Sequence, residues 1–300
     1  MRAFALALLA GAAYAVGGSA SMTARADTEH SNLYVVGLHA SKAHRIATAN
    51  DPYAFALDPA WSPDGRRLAF TYGVCDDCPG DILTINASGG RRREFSDAVG
   101  SRPVWAPDGH SITFVTTGQS IASIDLTSGR TSPLINAGST SLDYPAWSPD
   151  GSRLAYSRQV APDNWDIFVW ARSTGRTTRL VHAAHTDIEP SWSRDGLWIA
   201  YVTQLPSLRF AVSAIRPNGT GNHLVTRGRG GAEDPSWSPD GRSLAYVGIQ
   251  PGKAVSLWVI RADGRHPRRL TRPNLTVISA KWAPRGDRIV FSARRSATSG

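Results

Sequence analysis

The chain has 300 residues, 41% hydrophobic and 19% charged, which fits one large or two modest folded domains and excludes a charge-rich disordered or a collagen-like chain. Lys plus Arg outnumber Asp plus Glu by 33 to 24, and the net charge of +9 keeps anionic partners in view without naming one. Two cysteines exclude a multi-bridge disulfide scaffold and an all-cysteine four-ligand zinc site.

Met1-Arg2 precedes an apolar run from Ala3 to Val16, and Ala24-Arg25-Ala26 sets small residues where a signal peptidase would cut before Asp27. Residues 1–26 are expected to be an export signal, and residues 27–300 a single domain that is periplasmic, cell-surface or extracellular. An uncleaved anchor is the alternative. The apolar run is shorter than the roughly 20 residues that cross a bilayer, and no later segment is long or apolar enough, so no transmembrane span is expected in the mature chain. Cleavage would remove Arg2 and Arg25 and no acid, lowering the net charge from +9 to +7.

Leu33-Tyr34-Val35-Val36 and the segment near Arg45-Ile46 read as short strands. From Trp61 onward the chain repeats itself. Trp61, Trp105, Trp147, Trp192, Trp237 and Trp282 recur at intervals of 44, 42, 45, 45 and 45 residues, in the texts AWSPDGRRLAF, VWAPDGHSITF, AWSPDGSRLAY, SWSRDGLWIAY, SWSPDGRSLAY and KWAPRGDRIVF. Four residues past each Trp stands Gly65, Gly109, Gly151, Gly196, Gly241 or Gly286. The Ser/Ala-Pro-Asp before it suits a type I turn, with Pro setting φ and Gly taking the left-handed position that closes a hairpin.

Seven residues past each Trp stand Leu68, Ile112, Leu154, Ile199, Leu244 and Ile289; nine past it stand Phe70, Phe114, Tyr156, Tyr201, Tyr246 and Phe291. Period-two spacing puts these on one face of a second strand, with Ala, Thr or Val between them on a tight opposite face. Both faces are expected to be buried. A third strand follows, as in Ile82–Ile85 or Leu257–Ile260, then turn residues such as Asp263-Gly264, then a short Arg-rich fourth strand ending at Phe95, Leu134, Leu180, Leu224 or Leu270.

Each repeat is thus a four-stranded antiparallel unit with two apolar faces, stable only when stacked on neighbours. The sixth copy has two strands before the chain ends, and the two strands near Leu33 and Arg45 resemble the missing third and fourth. The sequence predicts an all-β, six-bladed β-propeller of four-stranded blades, closed by its N-terminal strands.

The P-x-W-S-P-D-G-x-x-[LI]-A-[FY] text resembles the WD40-like (PD40) repeat of TolB-type six-bladed propellers over roughly residues 32–295. Arg194 in place of Pro, Arg285 in place of Asp and Ala280 in place of the Pro before Trp depart from it. The resemblance implies the fold and leaves the function open, because propellers host unrelated activities. TolB itself carries an α/β domain ahead of its propeller, for which the sequence shows no room, so the Tol–Pal role is not expected to carry over. The hydrolase domain and G-x-S-x-G elbow of propeller peptidases are not found either.

Loops leading into the innermost strands of a propeller surround its channel. Three residues before each Trp stand Asp58, Arg102, Tyr144, Glu189, Asp234 and Ser279, expected either to form a mixed, mostly acidic funnel for a cation, basic peptide or polyhydroxylated ligand, or to cap strand ends and turns. His182, His185 and Asp187, with Glu189, crowd one such loop and suggest a divalent-cation site, or solvated loop residues. Cys75 and Cys78 are expected to form a local disulfide in an exported protein. Arg91-Arg92-Arg93, Arg265, Arg268 and Arg269 lie on outer strands or their turns, where they could bind anionic polymer or simply keep exposed edges soluble.

Three readings follow. The first is an exported, non-enzymatic scaffold that binds a protein, peptide or glycan; no cofactor is expected, and the chain is expected to be monomeric. The second is a lyase or glycoside hydrolase using the His182–Glu189 loop. The third is a structural envelope component held to anionic polymer. No nucleic-acid recognition motif occurs, and a nucleic-acid partner is not expected.

Overall fold

The computed structural model describes residues 31–38, 43–47, 55–73, 78–228 and 230–295. The expected export signal lies outside them. All regular elements among the described residues are strands. β1 (Asn32–Gly37) and β2 (His44–Ala47) come first. The first repeat forms β3 (Phe55–Trp61), β4 (Arg67–Gly73) and β5 (Gly80–Asn86), completed by the start of β6 (Arg93–Trp105). The second continues from β6 into β7 (Ser111–Thr116), β8 (Ile121–Asp125) and β9 (Thr131–Ile135). The third is β10 (Leu142–Trp147), β11 (Arg153–Ala161), β12 (Asn164–Ala171) and β13 (Thr177–Arg179); the fourth is β14 (Asp187–Trp192), β15 (Ile199–Gln204), β16 (Phe210–Ile215) and β17 (His223–Leu224). The fifth is β18 (Gly231–Trp237), β19 (Ser243–Ile249), β20 (Ser256–Arg261) and β21 (Arg268–Arg269), and the chain finishes with β22 (Leu275–Trp282) and β23 (Arg288–Arg295).

These strands make six antiparallel four-stranded blades among the described residues. Blades one and two share a strand. The sequence separates the outer strand ending at Phe95 from the next inner strand, but the structure runs β6 through both, pairing Phe95 with Ile82 and Gly100 with Thr116. A register shift between these pairings bends the strand where the sequence has no turn.

The six hairpins are built alike. Each repeated Trp pairs with the aliphatic residue seven positions on, from Trp61 with Leu68 to Trp282 with Ile289. The glycine of each turn has φ between 67° and 80°. Its N–H donates to the carbonyl three residues back, as Gly65 does to Ser62 at 2.8 Å. In four blades a side-chain knot reinforces the turn: Ser62, Ser148, Ser193 and Ser238 each donate Oγ–H to the turn aspartate at 2.6 Å. These bonds, with Ser152 adding two more, hold Asp150 down at about 2.

The second strand is buried on both faces, as its pattern predicts. The six residues at Trp+7 and the six at Trp+8 are all fully buried, and the aromatics at Trp+9 are 0–8% exposed. Six apolar clusters result, one per blade junction, in which the Trp-bearing face of one blade packs against the preceding blade. The junctions carry polar stitches too: Trp105 Nε1 donates to the Ala60 carbonyl, Trp61 Nε1 to Lys281 and Trp237 Nε1 to Ser191, at 3.1–3.2 Å. Arg67, Arg153 and Arg288, all at Trp+6, lay their guanidinium groups over the Trp of the following blade at 4.6–5.5 Å.

Closure is as the sequence predicts. β1 pairs with β23, Leu33 opposite Ser292 and Val36 opposite Ile289, and β2 pairs with β1, so the last blade has the order β22-β23-β1-β2. Tyr34 stacks on Phe291 with centroids 5.4 Å apart. The innermost strands β3, β6, β10, β14, β18 and β22 contact one another in succession, and β22 contacts β3. The ring is therefore shut without a covalent bond, and Leu33, fully buried, sits in the cluster joining blades six and one. Leu33→Ala is expected to cost about 3 kcal/mol in chemical denaturation, matching Leu244→Ala in an internal blade. A Leu33→Ala loss well below that of Leu244→Ala would show that the closing sector opens independently.

Candidate functional site

The inner strands carry a repeated backbone defect. Asp58, Arg102, Tyr144, Glu189 and Asp234 all have φ between 49° and 58°, a left-handed conformation that is costly for residues with a Cβ. Each lies in a register shift of its hairpin, such as Leu57/Ala60 or Glu233/Ser236. These are bulges, which re-aim a side chain. Ser279 departs from the expected ring: its φ is not left-handed, its strand shifts register between Val277 and Ser279, and its hydroxyl meets Ser292 Oγ at 2.8 Å.

The re-aimed side chains bridge blades. Arg102 pairs through Nε with Asp143, reaches Asp58 at 3.7 Å and lies over the Tyr144 ring at 3.9 Å, tying blades one, two and three together. On the other side of the ring, Glu189 Oε2 accepts the Asp234 N–H at 2.6 Å. Asp234 in turn accepts from the Ala280 N–H and from Lys281 Nζ, linking blades four, five and six. Ala280 stands where the other repeats have proline, and only that replacement supplies the N–H. The belt has mixed sign, and its acids are engaged by adjacent blades. Asp234→Ala is expected to lower stability by about 2–3 kcal/mol, because it strands the Ala280 N–H and a half-buried ammonium. Urea titration checks this, and a loss under about 0.5 kcal/mol would show that the belt does not brace the ring.

A second feature lies at the hairpin-turn end of the channel. The turns converge on a funnel of about 350 Å³. Pro63, Pro107, Pro149, Pro239 and Pro284 line it with Trp192, Trp237 and Trp282, and Arg194 takes the place of a sixth proline. The sequence identifies these prolines as turn formers and Arg194 as a weakened turn. That one residue position circles the channel becomes visible only when the six turns meet. The signal was the position itself, Trp+2 in every copy.

Residues 103–205 match the family model described as the TolB beta propeller domain, PD40. A solved structure of a protein assigned as TolB in Agrobacterium tumefaciens superimposes with a TM-score of 0.73 at 19% identity, covering 90% of this chain and 100% of that one. An oligogalacturonate lyase in complex with manganese superimposes with a TM-score of 0.58 at 15% identity, covering 87% of this chain and 78% of the lyase. The fold is a TolB-like β-propeller. By sequence, 62 residues are 42% identical to an uncharacterized peptidase, YuxL, of Bacillus subtilis, a stretch that is 19% of this chain and 9% of the peptidase.

The His182–Glu189 loop of this TolB-like propeller does not gather the expected cation ligands. Among the described residues no group of three or more His, Cys, Asp or Glu side chains converges on a common point. His182 is exposed, its Nε2 3.2 Å from the Arg179 carbonyl, and His185 is half-buried. Asp187 is instead fully buried. The alternation of β14 explains the split: Asp187 opens that strand and turns inward, away from the loop that precedes it.

Asp187 is the most perturbed acid of the blade-three/blade-four junction. Burial pushes it from 3.8 up to about 7, the Asp166 charge adding to the shift and the Thr203 hydroxyl opposing it. Asp166, also fully buried, is paired with Arg179. Tyr201 is pushed up to about 12, first by burial and then by Asp187. A folded-state value above the unfolded one means that the protonated acid favours folding. That contribution is complete below about 3.8, and it is lost as pH rises through about 7. Asp187→Asn is expected to raise the melting temperature by a few degrees at pH 8 and by clearly less at pH 5, where only the first part of the window from 3.8 to about 7 has been crossed. Equal shifts at both pH values would remove Asp187 as the cause.

Cys78 is disulfide-bonded. The other cysteine of the sequence, Cys75, lies outside the described residues.

Proposed function

We propose that this chain is an exported, non-enzymatic scaffold that binds a protein or peptide partner at the turn-end mouth of its channel. The observation that carries this reading is the funnel itself, lined by three indoles and five prolines at the turn ends of strands that the belt bridges from blade one to three and from four to six. Indoles in a concave, preformed site are typical anchors for a partner's apolar groups. Beside the funnel, the fourth turn, Ser193-Arg194-Asp195-Gly196-Leu197, differs from the others and leaves Leu197 55% exposed. Exposed loops on a rigid ring are where recognition residues concentrate.

Export rests on the leader text of residues 1–26, and an envelope or extracellular location follows from it. No helix of the described residues is long and apolar enough to cross a membrane. The lyase and peptidase likenesses lend the fold, since the first is 15% identical and the second spans 9% of its relative. A lyase or hydrolase reading through the His182–Glu189 loop would need its acid to face solvent, and Asp187 is buried. The exposed Arg91, Arg92, Arg268 and Arg269 leave attachment to anionic polymer as the competing outcome.

The immobilised mature chain is expected to retain a partner from envelope extract, and Leu197→Asp, an exposed change that spares the core, to lose it. Retention undiminished by Leu197→Asp, release of product from oligogalacturonate, or binding to cell-wall material that vanishes at high salt and survives Leu197→Asp would each reject this assignment.

A further inference from the structure

Two departures from the repeat meet across the mouth. Arg194, in blade four, stands where five blades have proline; Arg285, in blade six, stands where five have aspartate. Arg194 Nη1 donates to the Pro284 carbonyl at 3.2 Å, so its side chain spans from one turn to the other and ends beside the backbone of Arg285. Both residues are exposed. Arg194 is also the one charged side chain among the described residues that line the funnel. The lining is thus uncharged except at this sector, and the turn aspartates Asp64, Asp108, Asp150, Asp195 and Asp240 stand exposed one residue outside it, with Arg285 in place of the sixth.

We propose that this sector is a carboxylate site, which holds the free C-terminus of a polypeptide whose last side chain is apolar. The proposal rests on the scaffold reading and names what the funnel takes. A terminal residue carries its side chain and its carboxylate on one carbon, so the side chain can rest in the funnel against Pro149, Pro239 and the exposed edges of Trp192 and Trp237 while the carboxylate meets Arg194 at the rim. A guanidinium fork matches a carboxylate bidentately, and this bond is stronger than the one Arg194 now makes to a neutral carbonyl. Deeper in, the belt offers the anion no free cation, because Arg102 is paired with Asp58 and Asp143 and Lys281 with Asp234. Arg285 adds positive potential on the side from which the chain end arrives.

Fluorescence anisotropy on the mature chain tests this, with labelled hexapeptides ending in Phe or Leu, each made as the free acid and as the carboxamide. The free acids are expected to bind at least about tenfold more tightly than the amides. Arg194→Gln is expected to erase that difference and Arg194→Lys to keep part of it. Arg194→Pro restores the residue of the other five turns, keeps the turn foldable and is expected to behave like the Gln variant. Equal binding of acid and amide, a preference that survives Arg194→Gln, or no binding of either form overturns the carboxylate site. None of these results bears on the scaffold reading, which is decided by partner retention in the wild type against Leu197→Asp. Should 3-phenylpropanoate bind as tightly as the hexapeptide acids, a small acid and not a polypeptide end is the occupant, and the proposal fails.

Discussion

The ring depends on one packing event made six times: the large face of a blade, Trp with the Leu or Ile at Trp+7 and the aromatic at Trp+9, set against the small face of the blade before it. The small face is Ala69, Thr113, Ala155, Ala200, Ala245 or Val290, each fully buried. A larger residue there would push the blades apart, and a smaller one opposite would leave a void, so the pair fixes the spacing of the junction. Where the small residue is polar the contact adapts. Thr113 Oγ1 accepts the Trp147 indole N–H at 2.9 Å, in place of the backbone carbonyl used by Trp61, Trp105 and Trp237. Trp192 finds no acceptor among the described residues. An unpaired buried donor costs about 1–3 kcal/mol, and between blades three and four the indole bond is replaced by the Glu189 N–H donating to Ser157 Oγ at 3.2 Å and by the Arg153 guanidinium over the Trp192 ring. The same junction holds the buried Asp166 and Asp187, and Asp187, pushed up to about 7 by burial, makes it sensitive to pH near neutrality.

What a repeat makes legible is whatever is local to one copy. The turn, the Trp-to-Trp+7 pairing and the two-sided burial of the second strand depend on residues within ten positions of one another, and six copies make the pattern unmistakable. Closure was legible for a different reason: the two N-terminal strands and the two-strand sixth copy are complementary fragments of one unit. By contrast, the bridges of the belt join residues 41 to 47 positions apart, as Arg102 with Asp143 or Asp234 with Lys281. Which neighbour a bulged side chain reaches depends on how far one blade is rotated from the next, and no local pattern encodes that rotation. Asp187 illustrates the limit from the other side. Its neighbours His182, His185 and Glu189 in the sequence suggest ligands in a loop, yet the strand already begins at Asp187, inside the stretch read as loop, and the strand's alternation carries the carboxyl inward.

The departures from the repeat are the most informative residues for function. A symmetric ring presents the same group six times around its axis, and six equal prolines can only exclude water and pack. Recognition of an asymmetric partner requires that the symmetry be broken, and the breaks here are few. Ala280 is explained by the fold, since its N–H serves Asp234. Arg194 has an internal bond as well, Nη1 to the Pro284 carbonyl at 3.2 Å, which ties the turns of blades four and six; no bond within the ring accounts for Arg285. The turn at Arg194 closes with the same Gly196-to-Ser193 bond, at 3.0 Å, as the turns that contain proline, so the arginine neither repairs nor improves the hairpin. What it changes is the channel mouth, by adding a long cationic arm to a lining that is otherwise uncharged. Arg194 thus adds nothing to its own turn and instead ties two turns together across the mouth, in a position that five sister copies fill with proline.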